Sequence, residues 1–243
     1  MNLKMNSNLK IVSGHQPVYL PWLGLFHKLY LSDVFVYMDT VQYLNNDWNN
    51  RNKIKTSQNS LMLTVPIDKK KSRSSKLNDI RIFNENKNSR DFWQKKHWES
   101  IKINYSKAPF FNLFKNDLEF MYMEKEWSLL IDLCWYQFNY FRKILGLGEK
   151  KIIRMSETTF SGQKDDLVLD HCKKLNCNAV VFGEMGKNYV NLEKFNKNKI
   201  LVYYQKYIHP IYSQLYSKNG FTSNLSVIDL ILNEGPENSM KIL

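Results

Sequence analysis

Cysteine is scarce in the 243-residue chain, which carries three: Cys134, Cys172 and Cys177. Three cysteines cannot all pair, and none has CxxC spacing, so we expect free thiols rather than a disulfide framework. His171, next to Cys172 and close to Cys177, suggests a metal cluster. However, adjacent residues on a helix point in different directions, and no fourth ligand is evident. No metal site is predicted.

The chain also lacks a long apolar run. No stretch approaches the roughly 20 apolar residues that a membrane span needs, and the N-terminus MNLKMNSNLK lacks the apolar core of a signal peptide. We therefore expect a cytoplasmic protein without a membrane span. Hydrophobic residues make up 43% of the sequence and aromatic residues 14%, which is enough to bury a substantial core. We expect one domain over residues 1–243.

Acidic residues are few relative to basic ones, and the formal net charge is +12. Basic proteins gain affinity for phosphates. The densest basic run, residues 68–76, lies between two strand-like stretches at 61–67 and 80–83 and is typical of solvated surface. An alternative is that it attracts the pyrophosphate of a nucleotide-sugar or the anionic head of a lipid-linked glycan. No nucleic-acid-binding motif is present, so nucleic acid is not an expected partner.

The hydrophobic pattern predicts α/β alternation towards both ends of the chain. Residues 10–13 and 34–39 have the pattern of buried strands on either side of a helix at 22–31, which is the opening unit of a parallel sheet. Strands at 151–155, 179–182 and 200–204, with a helix at 165–175, continue the alternation. The predicted fold class is α/β, with a mainly parallel, Rossmann-like sheet flanked by helices.

Residues 87–147 are predicted to form a largely helical insertion. Aromatic residues recur at helical spacing over 89–105, and the pattern resumes over 109–120 and 125–145. Glycines at 146 and 148 suit a helix C-terminus. We interpret the aromatic stripe as core, although it also suits the wall of a sugar pocket. An apolar helix at 225–232, closed by Gly235 and Pro236, is interpreted as packing.

The segment from residue 14 to residue 55 holds most of the candidate functional residues. His15 follows a predicted strand and Asp39 ends the next one, so both are expected at the carboxyl edge of the sheet, where open α/β sheets bind ligands. Gly14 permits close backbone approach. The Asn and Trp cluster around Arg51 offers amides and a bidentate guanidinium to a phosphate or carboxylate. Its alternative is a turn-rich loop whose asparagines bind their own backbone.

The second half of the chain offers fewer candidates. Gly183 follows a predicted strand, and Lys187 and Tyr189 carry donors for phosphate or carboxylate oxygens. The glycine spacing is not that of a P-loop, so none is predicted. His209 precedes Pro210 and is either a turn residue or a site residue.

The sequence resembles the WbqC-like protein family. The resemblance rests on HQPxYLPWLGxFxKxxxSDxFVxxDxVQY (15–43), WxNRNxIK (48–55), LTVPI (63–67), YSKAPFF (105–111), FGEMGKNYV (182–190), YIHPIYSQ (207–214) and LSVIDLILNEG (225–235). It spans nearly the whole chain. It implies a transferase of bacterial surface-polysaccharide, O-antigen or glycan synthesis, which moves a small acyl or aminoacyl group, such as glycyl, to the amine of a nucleotide-linked amino sugar.

Under this hypothesis His15 is the general base that deprotonates the amine, and Asp39 or Gln42 orients it. The resemblance also favours His209 as a catalytic residue. The residues expected to bind substrate are Gln16, Tyr19, Trp22, Lys28, Gln42, Tyr43, Asn50, Arg51, Asn52, Lys55, Gly183, Lys187, Tyr189 and Gln214.

Two other functions fit the same sequence. Tyr19, Trp22, Tyr43 and Trp48 would stack on sugar rings in a non-catalytic glycan-binding protein. ATP-dependent nucleotidyl transfer suits a Rossmann-like sheet, but the second histidine of an HxGH signature is absent and no set of Mg²⁺ carboxylates is visible. The sequence leaves open the acyl donor, any cofactor and the oligomeric state.

Overall fold

A computed structural model describes residues 8–68 and 75–243. The basic run at 68–76 falls mostly on residues 69–74, which lie outside the described residues. The chain divides into two compact units. The first comprises residues 8–16, 24–40 and 149–208, and the second comprises 17–23, 41–68, 75–148 and 209–243. The expectation of one domain with a helical insertion stays a prediction.

The described residues form both strands and helices. The strands are β1 (Ile11–His15), β2 (Val34–Tyr37), β3 (Arg51–Lys55), β4 (Ser60–Thr64), β5 (Lys151–Arg154), β6 (Ala179–Phe182) and β7 (Leu201–Tyr204). The helices are α1 (Leu23–Leu31), α2 (Trp93–Tyr105), α3 (Phe111–Glu119), α4 (Leu130–Ile144), α5 (Lys164–Lys174), α6 (Leu192–Lys197) and α7 (Val227–Ile242). Within residues 8–68 and 75–243, none of the helices combines the length and the apolar character needed to span a bilayer.

The first unit is built on a five-stranded sheet in the order β5-β2-β1-β6-β7. Every neighbouring pair of strands is parallel, so the predicted α/β class with a Rossmann-like sheet is confirmed. Counted along the chain, the strands of this sheet lie in the order third, second, first, fourth, fifth. The order therefore reverses between β1 and β6, and such a reversal is where Rossmann-type sheets bind ligands.

Apolar side chains hold helices against this sheet. β2 and β6 are buried along their whole length, as parallel strands that are covered on both faces require. Val12, Val36 and Val180 belong to one buried cluster with Leu169 and Cys172 of α5. Burial raises the pKa of the Cys172 thiol to about 12, so this cysteine packs as a small apolar side chain.

The second unit combines the antiparallel hairpin β3–β4 with α2, α3, α4 and α7. Its core is rich in aromatic residues: Trp98, Tyr105, Phe138 and Phe141 are each at most 1% exposed. The aromatic stripe therefore forms core. The helix predicted over 125–145 begins later, at Leu130, because a π-helical turn at Phe120–Glu124 and an extended segment precede it.

The last helix continues past its predicted end. Gly235 has φ 73° and ψ 177° inside α7, a conformation that favours glycine, so the helix is interrupted where the sequence predicts a stop. A second helical segment then starts at Pro236 and runs to Ile242. Proline suits the first turn of a helix because it lacks an N–H that would remain unbonded there. The same residue pair thus ends one helical segment and begins another.

Candidate functional site

The carboxyl ends of β1 and β6 form the candidate site of the first unit. His15 is the last residue of β1, and Gly183 directly follows β6. These strands are the neighbours between which the strand order reverses. The predicted site residues that belong to the first unit are His15, Gln16, Lys28, Asp39, Gly183, Lys187 and Tyr189.

The hydrogen bond of His15 defines where its proton lies. Nδ1 of His15 is 2.8 Å from the carbonyl oxygen of Gln16. Because a carbonyl oxygen can only accept, Nδ1 must carry the hydrogen, and Nε2 of the neutral ring then holds the lone pair. Nε2 is therefore the nitrogen that can take a proton from a ligand. A backbone carbonyl fixes this tautomer, and that contact is one the sequence could not show.

Asp39, which was predicted to orient His15, joins the ends of two strands. It is fully buried. Its carboxylate accepts hydrogen bonds from Nε of Arg154 at 3.0 Å, from the backbone N–H of Ser156 at 2.8 Å and from Oγ of Ser156 at 2.6 Å. These bonds tie the end of β2 to the end of β5. A role for Asp39 in orienting His15 stays a prediction.

Lys28 places a buried amine between β1 and β6. Its Nζ donates to the carbonyl oxygen of Gly14 at 2.9 Å, and a Cβ at Gly183 would lie 3.9 Å from the same Nζ. Only 7% of the residue is exposed. Burial lowers the pKa of Lys28 to about 8, and no carboxylate among the described residues offsets this effect. The amine is thus a desolvated cation, mostly charged at neutral pH, at the point of strand reversal.

Gly14 lets the neighbouring strand β2 approach β1 closely. A Cβ at residue 14 would lie 3.1 Å from the carbonyl oxygen of Val36 and 3.3 Å from the sulfur of Met38. These distances are tight, so the neighbouring strand approaches closely because residue 14 has no side chain. The predicted close approach at Gly14 therefore has a strand, β2, as its partner.

Lys187 and Tyr189 lie on the surface beyond β6. Lys187 pairs with Glu184, and its Nζ is 5.9 Å from the ring centroid of Tyr204. Tyr189 is 54% exposed. Because the carboxylate of Glu184 neutralises the charge of Lys187, this lysine is less suited than Lys28 to bind an anionic ligand.

The structure adds His27 and Gln205 to this edge, and neither residue was predicted as a candidate. Gln205 follows β7, and its backbone N–H donates to the carbonyl oxygen of Phe182 at 2.8 Å. Its side-chain nitrogen donates to the carbonyl oxygen of Gly24 at 2.7 Å and lies 3.0 Å from Nδ1 of His27. A polar residue just after a strand was the signal that singled out His15 and Asp39. Applied to β7, it would have found Gln205.

In the second unit, asparagines of the predicted anion-binding cluster hold a loop. Nδ2 of Asn52 donates to the carbonyl oxygen of Leu20 at 2.6 Å, and Nδ2 of Asn49 donates to that of Pro17 at 2.8 Å. Leu20 has φ 44°, a backbone conformation that leucine rarely adopts. The amides therefore clamp a strained turn, and binding of substrate by Asn52 stays a prediction.

The neighbours of Asn52 in this cluster are also engaged by the protein. Nδ2 of Asn50 donates to the carbonyl oxygen of Val65 at 2.8 Å, and its Oδ1 accepts from the hydroxyl of Tyr43 at 3.2 Å. Arg51 donates to the carbonyl oxygen of Asn46. Each side chain thus binds the fold of the second unit, and substrate binding by Asn50 and Arg51 stays a prediction.

Tyr19 is fully buried in a hydrogen-bonded trio. Its hydroxyl is 2.7 Å from Nδ1 of His97 and 2.6 Å from the hydroxyl of Tyr122. Burial lowers the pKa of His97 to about 3, so its ring stays neutral. Trp22 is partly exposed and forms a β-bridge with Ser226. Of these two aromatics, only Trp22 has surface to offer a sugar ring.

Lys55 and Gln214 belong to a buried polar network. Nζ of Lys55 donates to Oε1 of Gln214 at 3.0 Å, to the carbonyl oxygen of Gly220 at 2.8 Å and to Oγ1 of Thr222 at 3.1 Å. Nε2 of Gln214 donates to Oδ2 of Asp229 at 2.6 Å. These bonds use all three hydrogens of the Lys55 ammonium group.

Asp229 is the acceptor at the centre of this network. It is fully buried and also accepts from the hydroxyls of Tyr105 and Tyr212, each at 2.8 Å. Burial raises the pKa of Asp229, while these hydrogen bonds and the charge of Lys55 act in the opposite direction. The sequence assigned the helix that carries Asp229 to packing alone.

His209 and Gln42 complete the predicted residues of the second unit. The ring centroid of His209 lies 6.0 Å from that of Tyr212 and 5.9 Å from that of Phe221, and burial lowers its pKa. Gln42 is exposed and forms a β-bridge with Lys76. Catalysis by His209 and substrate contact by Gln42 stay predictions.

Comparisons with known proteins agree with this architecture. The model of the WbqC-like protein family matches residues 16–241. The chain is 29% identical over 230 residues to the uncharacterised protein Rv1507c of Mycobacterium tuberculosis (strain ATCC 25618 / H37Rv), and the match covers 94% of this chain and 96% of that protein. No solved structure matches the chain. The chain belongs to the WbqC-like protein family.

Proposed function

We propose that the protein transfers a small acyl or aminoacyl group to the amine of a nucleotide-linked amino sugar in the synthesis of bacterial surface polysaccharide. The observation that carries the proposal is the combination at one sheet edge of His15, whose Nε2 holds a lone pair, with the buried Lys28 amine. Nε2 of His15 can accept the proton that the sugar amine loses, and the Lys28 ammonium group can bind a phosphate group. Both lie at the strand reversal where nucleotides bind to sheets of this type.

The proposed reaction needs one base and an activated donor, an ester or thioester. The sugar amine attacks the carbonyl carbon, a C–N bond forms, and the carbonyl π electrons move onto oxygen. Nε2 of His15 takes the proton of the amine. The electron pair on oxygen then re-forms the carbonyl, and the bond to the leaving alcohol or thiol breaks. The leaving group departs with that bonding pair and takes the proton from His15.

Lys28 is proposed to bind the diphosphate of the nucleotide-linked sugar. A charge interacts more strongly with a ligand in a desolvated site than in water. Among residues 8–68 and 75–243, Nζ of Lys28 donates to Gly14 alone, and two of its three N–H donors can then bind phosphate oxygens. An isolated buried ammonium costs stability, and binding of an anion would offset that cost.

The Lys28→Met variant is expected to be more stable than the wild type at pH 7 and to lose affinity for a phosphate-bearing ligand. The pKa of Lys28 falls from about 10.4 in the unfolded chain to about 8 in the fold. Below pH 8 both states are protonated and the fold carries the full burial penalty. This penalty amounts to about 3 kcal/mol at ~1.4 kcal/mol per pKa unit. Loss of the hydrogen bond to Gly14 costs ~1 kcal/mol of that gain, so the free energy of unfolding should rise by about 2 kcal/mol.

Denaturant titration at several pH values checks this expectation. Between pH 8 and about 10.4 the unfolded wild type binds more protons than the fold, so its free energy of unfolding should rise with pH. The Lys28→Met variant should lack that rise. Lys173→Met, at an exposed position of α5 in the same unit, is the matched control and should keep it. A Lys28→Met variant that unfolds more easily at pH 7 would make Lys28 a structural residue.

Thermal unfolding with a ligand panel tests the proposed function itself. The panel holds nucleotide-linked amino sugars, acyl-CoAs and ATP, each with the wild type, Lys28→Met and Lys173→Met. A ligand at 100 times its dissociation constant should stabilise the wild type by about 2.7 kcal/mol. The amino-sugar nucleotide should raise the midpoint of the wild type and of Lys173→Met but not that of Lys28→Met. If ATP alone raises it, nucleotidyl transfer becomes the better function.

A further inference from the structure

Gln205 holds its side-chain amide in one orientation. One amide atom lies 2.7 Å from the carbonyl oxygen of Gly24, which can only accept a hydrogen bond. That atom must therefore be the nitrogen, Nε2, because two acceptors would repel each other. The backbone N–H of Gln205 is bonded to Phe182, so the residue is anchored at both ends.

This amide fixes the tautomer of His27. Nε2 of Gln205 has a second hydrogen, and Nδ1 of His27 lies 3.0 Å from it. Nδ1 must therefore accept, and in the neutral ring the proton sits on Nε2. Burial lowers the pKa of His27, so the ring stays neutral at pH 7. His27 thus presents an N–H donor, whereas His15 presents a lone pair.

A series of contacts through Gln205 and β6 places His27 at the same sheet edge as Lys28. Gln205, which holds the imidazole ring, is bonded to Phe182, the last residue of β6. The next residue is Gly183, where an added Cβ would lie 3.9 Å from Nζ of Lys28. His27 is only half-buried, so a ligand at the ends of β6 and β7 can reach the ring. Its ring centroid lies 5.6 Å from that of Tyr207, which closes one side.

We propose that His27 is a second catalytic residue, which donates a hydrogen bond from Nε2 to the carbonyl oxygen of the acyl donor. This inference rests on the proposed function. When the amine attacks, the π electrons of the carbonyl move onto that oxygen, and the N–H of His27 stabilises the negative charge. His27 keeps its proton throughout, and His15 carries the proton from the amine to the leaving group. A neutral imidazole serves as such a donor in other enzymes.

Nuclear magnetic resonance tests the tautomer without any substrate. Protein labelled with ¹⁵N in its five histidines gives two-bond ¹H–¹⁵N correlations that identify the protonated nitrogen of each ring. Loss of one set of signals in His27→Phe assigns that ring. We expect the proton on Nε2 in His27 and on Nδ1 in His15. A proton on Nδ1 of His27, or on both nitrogens at pH 7, would overturn the inference.

Kinetics test the role of that proton. His27→Phe keeps an aromatic ring without the N–H and should lower kcat about 100-fold or more, the effect of losing one donor to an oxyanion. His27→Gln carries an amide N–H near the same position and should retain more activity. The dissociation constant of the amino-sugar nucleotide should be unchanged in both, because its diphosphate is assigned to Lys28 and the acyl donor is assigned to His27.

Gln205→Leu separates positioning from structure. This change removes the hydrogen bond that selects the tautomer of His27. The ¹⁵N spectrum should then show a mixture of the Nδ1–H and Nε2–H tautomers, and kcat should fall. If the wild type turns over and His27→Phe is equally fast, the role of His27 is wrong and the proposed function stands. If the wild type transfers no acyl group to any amino-sugar nucleotide, the proposed function fails and this role fails with it.

Discussion

Replacement of His15 by glutamine is expected to lower acyl transfer by about 10²- to 10⁴-fold while the protein stays folded. The loss follows from the tautomer: Nε2 holds the lone pair because Nδ1–H donates to Gln16. Glutamine has no group that takes a proton near neutral pH. The amine would then have to lose its proton to water. The loss in rate equals the contribution that a general base makes.

A pair of substitutions sharpens this test. His15→Asn places an amide N–H near the position of Nδ1 and can keep the bond to the Gln16 carbonyl, while His15→Gln places its amide near Nε2. Both variants lack a base, so both should be slow, with unchanged affinity for the amino-sugar nucleotide, and His15→Asn, which keeps the bond to Gln16, should also keep the unfolding midpoint. Turnover within a factor of a few of the wild type in either variant would exclude His15 as the base.

The parallel sheet could be predicted because its signal is local. Short apolar runs at β1, β2 and β6 are bounded by polar or glycine residues, and each run is buried on both faces. The strand order is not local. Nothing near β1 indicates that β6, more than 160 residues away, would be its second neighbour, and the strand reversal depends on that pairing.

The partners of the candidate site residues could not be predicted either, because they are also far away along the chain. Asp39 was placed at a strand end, but Arg154, which binds it, is 115 residues away. The pattern that suggested anion binding around Arg51 equally describes amides that clamp a strained turn. His27 was overlooked because it falls on a skipped position of the pattern FxK, between Phe26 and Lys28. Its chemistry depends on Gln205, which is 178 residues away.

Disruption of the Lys55 and Asp229 network is expected to have the largest effect on stability. Asp229→Ala leaves the hydroxyls of Tyr105 and Tyr212 and the amide of Gln214 without their acceptor, and it leaves Lys55 without a compensating charge. Removal of one partner from a buried charged network typically costs about 3 to 5 kcal/mol. We expect this loss in the free energy of unfolding, measured by denaturant titration at pH 7.

The two charges should be coupled rather than additive. Burial raises the pKa of Asp229 and lowers that of Lys55, so burial opposes the charged form of each. Protonation of the Asp229 carboxyl therefore adds stability below its unfolded pKa of about 3.9, and this added stability is lost as the pH rises through its higher folded pKa, whereas the hydrogen bonds that Asp229 accepts remain at pH 7. The double variant Lys55→Met/Asp229→Leu removes both buried charges. Its loss in the free energy of unfolding should be at least 0.5 kcal/mol smaller than the summed losses of Lys55→Met and Asp229→Leu.

This cycle also decides how Lys55 and Gln214 should be interpreted. If the network only supports the fold, Lys55→Met should weaken ligand binding no more than its loss of folded protein explains, and the double variant should regain binding together with stability. If the double variant is stable but still fails to bind, Lys55 contacts the substrate, as the sequence predicted. If the single costs simply add, the two charges act independently, and the buried network is not the unit that holds residues 214–222 in place.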